Sequence, residues 1–174
     1  MIRIIKVTDN NIIDDAVKLR LEMLREVNSL PDDHTFSDKF IEDTKKYILS
    51  GDQSSFTAYE DGTAIGCASI CYYNVMPTYV HPSGKRAHIM NIYTKPDSRR
   101  QGLASTLIFM LIEEAKEKGV TEITLDAADN VRDLYYKTGF TRTDEGMVMD
   151  INKMLRQNIE NAERTGYKPQ VCGH

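Results

Sequence analysis

The chain has 174 residues, of which 41% are hydrophobic, and it carries a formal net charge of −4. This length and composition fit one globular domain with a packed core and exclude an intrinsically disordered chain. The acidic balance disfavours nucleic acid as a partner, since binding to phosphates needs a basic surface.

The apolar runs and the cysteines indicate where the protein is located in the cell and whether it binds a metal. The longest apolar run, Leu107–Ile112, is far too short to cross a bilayer, and the N-terminus lacks the apolar region of a signal peptide. Cys67, Cys71 and Cys172 are odd in number and form no paired C-x-x-C motif. We therefore expect a cytoplasmic protein with reduced thiols, no membrane partner and no metal site.

Hydrophobic periodicity and turn residues predict the element order β-α-α-β-β-β-α-β-α-β-α. The predicted elements are a strand over Ile2–Val7, a helix ending near Val27, a helix from Ser37 to about Leu49, strands over Ser54–Glu60, Ala64–Tyr73 and Ala87–Thr94, a helix after Gly102, a strand over Val120–Asp126, a short helix over Asn130–Lys137, a strand over Met147–Ile151 and a surface helix over Asn152–Arg164. The dipeptide Asp61-Gly62 predicts a hairpin.

This order has consequences for the fold class. Because the hairpin precedes the crossover helix, we expect a mixed central β-sheet flanked by helices, which is an α/β (α+β) fold. Residues 1–151 would form a single domain, and residues 152–174 a C-terminal helix and tail.

The stretch SRRQGLASTLIFMLIEEAKEKG at residues 98–119 places two arginines and one glycine before an apolar-striped helix. The first turn of a helix has backbone N–H groups without partners, and the helix dipole adds about half a positive charge there. Gly102 would let a ligand approach the backbone, and Arg99 and Arg100 add cationic side chains. The pattern favours a phosphate or pyrophosphate site; from this pattern alone, a plain solvated turn is the alternative.

Two motifs resemble the GNAT N-acetyltransferase superfamily. After the strand residues Ile92-Tyr93-Thr94 and Pro96, the run Arg99-x-x-Gly102-x-Ala104 opens a helix, which is similar to the family's acetyl-CoA motif R/Q-x-x-G-x-G/A. Further on, LYYKTGF at residues 134–140 resembles the family's LYxKxGF segment. The element order fits over about residues 2–151. The resemblance implies a single-domain GNAT-like fold with splayed strands at the cofactor site.

The resemblance further implies acetyl-CoA as co-substrate. Its pyrophosphate would lie on the backbone amides of residues 100–105, and its pantetheine arm along Ile92–Thr94. A backbone N–H near Asn91 or Ile92 would polarise the thioester carbonyl. Tyr135 matches the family's general acid for the leaving thiolate, whereas its spacing alone equally fits a core tyrosine. The implied cofactor-binding residues are Ile92, Tyr93, Thr94, Arg99, Arg100, Gln101, Gly102, Leu103, Ala104, Ser105 and Asn130.

The general base is left unassigned. Many family members carry a glutamate on the strand before the glycine turn, but Ala87–Thr94 contains no acid. His88 is the titratable side chain there with a pKa near neutrality, although a structural histidine is the plainer interpretation. Glu22, Glu26 and His34 fall in the region that lines the acceptor pocket in the family, and the two glutamates equally fit a solvated helix face.

The resemblance implies an N-acetyltransferase that moves an acetyl group from acetyl-CoA to a primary amine of a small molecule or peptide by direct attack. The alternative is an acyl-CoA-binding sensor or regulatory module with little catalysis, favoured by the missing strand glutamate and disfavoured by the retained Tyr135. An aromatic-rich loop over Tyr72–Tyr79 would wall the acceptor site or contact a second subunit, and the resemblance allows a homodimer.

Overall fold

A computed structural model describes residues 1–8, 10–143 and 149–151. The strands are β1 (Ile2–Lys6), β2 (Gln53–Glu60), β3 (Thr63–Asn74), β4 (Lys85–Thr94) and β5 (Glu122–Leu125), and the helices are α1 (Asn10–Val27), α2 (Asp38–Leu49), α3 (Leu103–Glu117) and α4 (Arg132–Lys137). Short 3₁₀ turns lie at Pro96–Ser98 and Asp129–Val131. The predicted element order is therefore confirmed from the first strand to the short helix.

The predictions for the residues after the short helix are not confirmed. Chain contacts divide the protein into one unit over Met1–Phe140 and a second from Thr141 onward, so the predicted boundary at residue 151 stays a prediction. Met149 and Asp150 form no strand and Ile151 is helical, so the strand predicted over Met147–Ile151 is absent from its described part. Alternation alone does not decide whether a strand forms, since strand preference depends on packing against neighbouring strands. The helix predicted over residues 152–164 lies outside the described residues.

The sheet has the order β1-β2-β3-β4-β5. The first four strands pair antiparallel, whereas β4 and β5 pair parallel through the crossover helix α3. Asp61 and Gly62 have φ angles of 48° and 81°, the left-handed pair that a tight two-residue hairpin requires. The mixed sheet expected from the sequence is confirmed.

The two faces of the sheet differ in chemistry. Phe56, Ala58, Ala68 and Ile70 point toward α3 and pack in one apolar core with its buried leucines and isoleucines. Because side chains alternate along a strand, the intervening positions of β2 and β3 face the opposite side, toward α1 and α2. Those positions are largely polar and buried: Gln53, Ser55, Thr57, Cys67 and Ser69. The α3 face therefore carries the larger apolar core, and the other face provides a buried polar surface.

A bulge interrupts β4 at Asn91. Cys67 pairs with Tyr93 and Ser69 pairs with Met90, so β4 has one more residue than β3 across this step. Asn91 takes a φ of 58°, a left-handed conformation that asparagine tolerates better than most residues. Pairing between β4 and β5 covers only Arg86–Ile89 on β4. The C-terminal half of β4 therefore has no β5 partner, because β5 ends at Leu125.

Candidate functional site

The turn before α3 presents free backbone donors. Arg100 and Gly102 both take left-handed φ angles, 62° and 82°, which reverse the chain between β4 and α3. The first helical bond runs from the Thr106 N–H to the Gly102 carbonyl at 3.0 Å. Within the described residues, the N–H groups of residues 100–105 donate no hydrogen bond. These donors at the positive end of a 15-residue helix form a site for an anion.

Open space surrounds the glycine of this turn. A Cβ added to Gly102 would meet no atom within 4 Å. Residues 100–102 are exposed, whereas Leu103 is buried and anchors the start of α3 in the core. Ala104 and Ser105 are half-buried and small. Side chains of the described residues therefore leave the turn open to a ligand.

The two arginines of the turn have different surroundings. Arg99 donates to both carboxylate oxygens of Glu26 at 2.6 and 2.9 Å, and its Nε donates to the Thr94 carbonyl at 2.8 Å. Its guanidinium also lies 5.8 Å from the centre of the Tyr93 ring. Arg99 thus connects α1, β4 and the turn, and the Glu26 carboxylate raises the pKa of Arg99. Arg100 is exposed and has no ion-pair partner among the described residues, so its side chain is available at the rim.

The half of β4 that has no β5 partner leads directly into this turn. Ile92 packs against the α3-side core, and Tyr93 is buried beside Leu19 and Cys67. The buried Thr94 hydroxyl has no hydrogen-bond partner in the described part of the chain. A strand edge without a neighbour exposes backbone donors and acceptors, which can pair with an extended amide-bearing ligand.

Tyr135 lies on α4 and packs against the same apolar core as Ile92. Its ring meets Phe140 edge to face at 6.0 Å, and burial raises the pKa of its phenol. No described residue forms a hydrogen bond with its hydroxyl. Asn130 lies in the 3₁₀ turn before α4 and is exposed. The short helix thus supplies a neutral phenol with an unpaired O–H group.

On the opposite face of the sheet, a cavity of about 230 Å³ reaches the β4 bulge. Its floor includes Ser69, Met90 and Asn91, and its walls come from α1 and α2. Arg20 projects from α1 into this space, where its Nη1 donates to Asn91 Oδ1 at 3.3 Å. The cavity therefore meets β4 at the residue where the strand bulges.

A chain of buried polar groups lies under the cavity. Gln53 donates through Nε2 to the Ile48 carbonyl and accepts from Ser55 Oγ at 2.6 Å. The Ser55 and Ser69 hydroxyls lie 2.6 Å apart, and Asn91 Nδ2 donates to Ser69 Oγ at 3.3 Å. Buried networks of this kind fix side-chain positions when all their members are satisfied. The network holds the Asn91 amide, and through it the Arg20 side chain.

The acidic and histidine candidates from the sequence do not line this cavity. Glu22 and Glu26 border a second, open space of about 450 Å³ next to Tyr93. Glu22 lies 3.8 Å from Lys95 Nζ, and Glu26 is bound to Arg99.

The two histidines are engaged elsewhere. The His34 ring packs edge to face on Phe36 at 4.9 Å. His88 Nδ1 lies 2.9 Å from Thr124 Oγ1, and its Nε2 lies 3.8 Å from Asp126.

Arg20 and the side chain of Asn91 were missed as site groups in the sequence, where only the backbone near Asn91 was considered. Arg20 follows the buried Leu19 and lies three residues after the buried Val17, so it falls near the inward stripe of α1. A cation on such a stripe is the available signal, since a charge facing the core needs a partner or a ligand. The bulge itself has no signal beyond the tolerance of asparagine for a positive φ.

The described residues also bear on metal binding and on membrane insertion. In that part of the chain, no group of three or more His, Cys, Asp or Glu side chains could hold a metal ion. No described helix is both long and apolar enough to span a bilayer.

The free-amide turn, the strand before it and the LYYKTGF helix are the features in which the sequence resembles the GNAT superfamily. The model of the acetyltransferase (GNAT) family matches residues 21–140, more than half of the chain. The chain belongs to that family, and the resemblance noted in the sequence is confirmed.

Known proteins similar to this chain include enzymes for amino sugars. It is 28% identical over 90 residues to glucosamine 6-phosphate N-acetyltransferase from Trypanosoma brucei brucei, a match that covers 52% of this chain and 59% of that protein. The chain thus spans only about 59% of the length of this curated relative.

Solved structures match over more of the chain. A crystal structure of a predicted acetyltransferase with acetyl-CoA from Clostridium acetobutylicum is 29% identical, with a TM-score of 0.76, over 88% of this chain and 98% of that one. The structure of glucosamine-6-phosphate N-acetyltransferase from Arabidopsis thaliana is 17% identical, with a TM-score of 0.66, over 87% of this chain and 99% of that one. The second likeness concerns the fold alone.

Proposed function

We propose that this chain is an acetyl-CoA-dependent N-acetyltransferase that acts on a primary amine. The observation that carries the proposal is a row of backbone N–H groups at residues 100–105 that donate no hydrogen bond within the described residues. This row directly follows the half of β4 that has no β5 partner. Membership in the acetyltransferase family supports it, and so does the similarity to the Clostridium acetobutylicum protein described with acetyl-CoA.

Each part of the site then has one task. The amides of residues 100–105, with Arg100 at the rim, bind the pyrophosphate of the co-substrate. The free edge of Ile92–Thr94 pairs with the pantetheine amides and aligns the thioester with the bulge. A backbone N–H at the bulge polarises the thioester carbonyl. The enzyme thereby supplies mainly positioning for the attack.

The chemical step is a direct acyl transfer. The amine nitrogen forms a bond to the acetyl carbon while the carbon–sulfur bond breaks. The leaving sulfur takes the phenolic proton of Tyr135, the amine releases its own proton to solvent, and the Tyr135 phenolate regains a proton from solvent, so the enzyme is restored. Burial raises the pKa of Tyr135, so the phenol is protonated at neutral pH and able to donate.

The cavity on the α1–α2 side is the acceptor site in this proposal. It opens on the opposite face of the sheet from α3 and ends at Met90 and Asn91, next to the strand that aligns the thioester. An amine in this cavity can therefore reach the bulge without crossing the bound co-substrate. Cys67 and Cys71 form no disulfide within the described residues, which supports a cytoplasmic location for this enzyme.

The test is release of free thiol from acetyl-CoA with a panel of primary amines. We expect Tyr135→Phe to lower kcat by about 100-fold or more, the usual contribution of a positioned general acid, with unchanged affinity for CoA. Tyr136→Phe is the matched control, because Tyr136 is adjacent and half exposed. Tight CoA binding without turnover on any amine would support the sensor module instead. Equal rates for Tyr135→Phe and the wild type would remove Tyr135 from the chemical step.

A further inference from the structure

The acceptor cavity contains one cation without a counter-ion. Arg20 is half-buried, and no described carboxylate lies within ion-pair distance of it. Three other arginines are paired with carboxylates: Arg86 with Glu122, Arg99 with Glu26 and Arg132 with Asp129. The guanidinium in the cavity therefore differs from these in its surroundings.

The groups nearest to Arg20 do not supply the missing negative charge. Burial raises the pKa of the Cys67 thiol to about 12, so this neighbour is uncharged at neutral pH. Burial also raises the pKa of the Tyr47 phenol. Asp43 is the one acid that lines the cavity, and its Oδ2 lies 2.6 Å from Lys39 Nζ. Of the two charged side chains in the lining, Arg20 is therefore the one without an ion-pair partner among the described residues.

An anionic partner stabilises a half-buried guanidinium more than a neutral partner does. The guanidinium has five N–H donors in a planar fork that matches a carboxylate or a phosphate, and among the described residues only Asn91 Oδ1 accepts from it. Burial lowers the pKa of Arg20, which reflects the cost of removing this charge from water. An anion in the cavity offsets this cost, whereas a neutral amine leaves it in place.

We propose that the acceptor is a primary amine that also carries an anionic group, a carboxylate or a phosphate, and that Arg20 binds this group. The inference rests on the proposed function for the identity of the cavity as an acceptor site. The cavity volume of about 230 Å³ equals roughly eight water molecules at ~30 Å³ each, so the buried part of the acceptor is small. The Asn91 amide, held by Ser69, fixes the guanidinium that selects the anion.

The test compares amines in pairs that differ in the anion. One pair is alanine and alaninamide, and the other is glucosamine 6-phosphate and glucosamine. In each pair the charged member carries the anion and the neutral member lacks it, and both have the amino group. We expect the wild type to favour the charged member of at least one pair by tenfold or more in kcat/KM. Arg20→Gln should lower the value for that member by about 10- to 100-fold and leave the neutral member unchanged. The preferred pair distinguishes carboxylate from phosphate.

Two further variants keep the result interpretable. Lys18→Gln removes the same charge from an exposed position of α1 and should change neither pair. Arg20→Lys retains the charge but loses the fork, so it should recover part of the preference and also tests whether the position tolerates substitution. Preference for the neutral members, or an equal loss on both members in Arg20→Gln, would overturn the proposal.

A binding experiment separates this inference from the proposed activity. The four amines are titrated into the CoA-loaded protein by calorimetry, for the wild type and Arg20→Gln. Binding of a charged member that depends on Arg20, with no acetyl transfer, would reject the activity and keep the anion site. Transfer to neutral amines that is indifferent to Arg20 would keep the activity and reject the anion site. Equal binding of both members by both proteins would also reject it.

Discussion

Replacing Gly102 tests the placement of the pyrophosphate most directly. Gly102 has a φ of 82°, and a Cβ there would meet no atom within 4 Å of the free protein. Gly62, at the tip of the β2–β3 hairpin, has a φ of 81° and equally open surroundings. Gly102→Ala and Gly62→Ala therefore impose the same backbone strain at two places, and only the first lies at the proposed anion site.

The magnitudes for the two variants separate cleanly. A left-handed alanine costs about 1–2 kcal/mol, which lowers the Tm of a chain this size by roughly 2–8 °C in either variant. In the complex, the added methyl at residue 102 also presses on a tightly bound group, which costs about 1–3 kcal/mol. That range corresponds to a loss of CoA affinity of about 5- to 150-fold for Gly102→Ala. Gly62→Ala should bind CoA as the wild type does.

The assay is calorimetric titration of CoA into the two variants and the wild type, with thermal unfolding as the measure of strain. Gly102→Glu extends the series, because a carboxylate about 4 Å from a phosphate adds a repulsion of roughly 1–4 kcal/mol and should abolish measurable binding. CoA affinities that match the wild type for Gly102→Ala and Gly102→Glu would show that the pyrophosphate does not lie on this turn, and the proposed co-substrate geometry would be wrong.

Three further predictions concern the bulge, alkaline stability and thiol reactivity. Asn91→Gly accepts the φ of 58° but loses the bonds to Ser69 and Arg20, so we expect a modest loss of Tm with kcat/KM lowered about tenfold, whereas Asn91→Ala should lose about 1–2 kcal/mol more through left-handed strain. Burial, followed by the hydrogen bond to Asp15, raises the pKa of Tyr59 from 10.0 to about 12. Its contribution to folding is therefore complete below pH 10 and lost as the pH rises toward 12, and urea titrations should show the stability gap to Tyr59→Phe closing over that range; a constant gap contradicts this linkage. Cys67, 1% exposed and with a pKa raised to about 12 by burial, should resist iodoacetamide at pH 8 until the chain unfolds, as read by peptide mass spectrometry, and labelling of the native protein at this residue would contradict its buried position.

Local patterns were sufficient to predict the parts of the site that depend on short segments. The glycine turn, its helix and the LYYKTGF segment are contiguous in the sequence, and Asp61-Gly62 identifies its own hairpin. The two glycine turns follow from backbone conformations that few residues adopt, whereas LYYKTGF was identified by its resemblance to a family segment. The element order followed from hydrophobic periodicity and turn residues, and the mixed sheet followed from that order.

Features that depend on contacts between distant segments could not be predicted in this way. The sequence predicts Arg99 as a cationic side chain at the anion site, yet in the structure its guanidinium is bound by Glu26, 73 positions earlier. The acceptor cavity combines Arg20 with Ser69 and Asn91, which no spacing rule relates. The bulge at Asn91 shows itself only when the register of β3 against β4 is known.

The difference between the two faces of the sheet bears on how such a chain can change its substrate. The residues that hold the molecule together, such as Phe56, Ile70 and Leu107, occupy the face that α3 covers. The residues that line the proposed acceptor cavity, such as Arg20, Ser69 and Asn91, lie on the other face. Mutations that retune substrate preference can thus accumulate on one side while the main apolar core stays intact on the other.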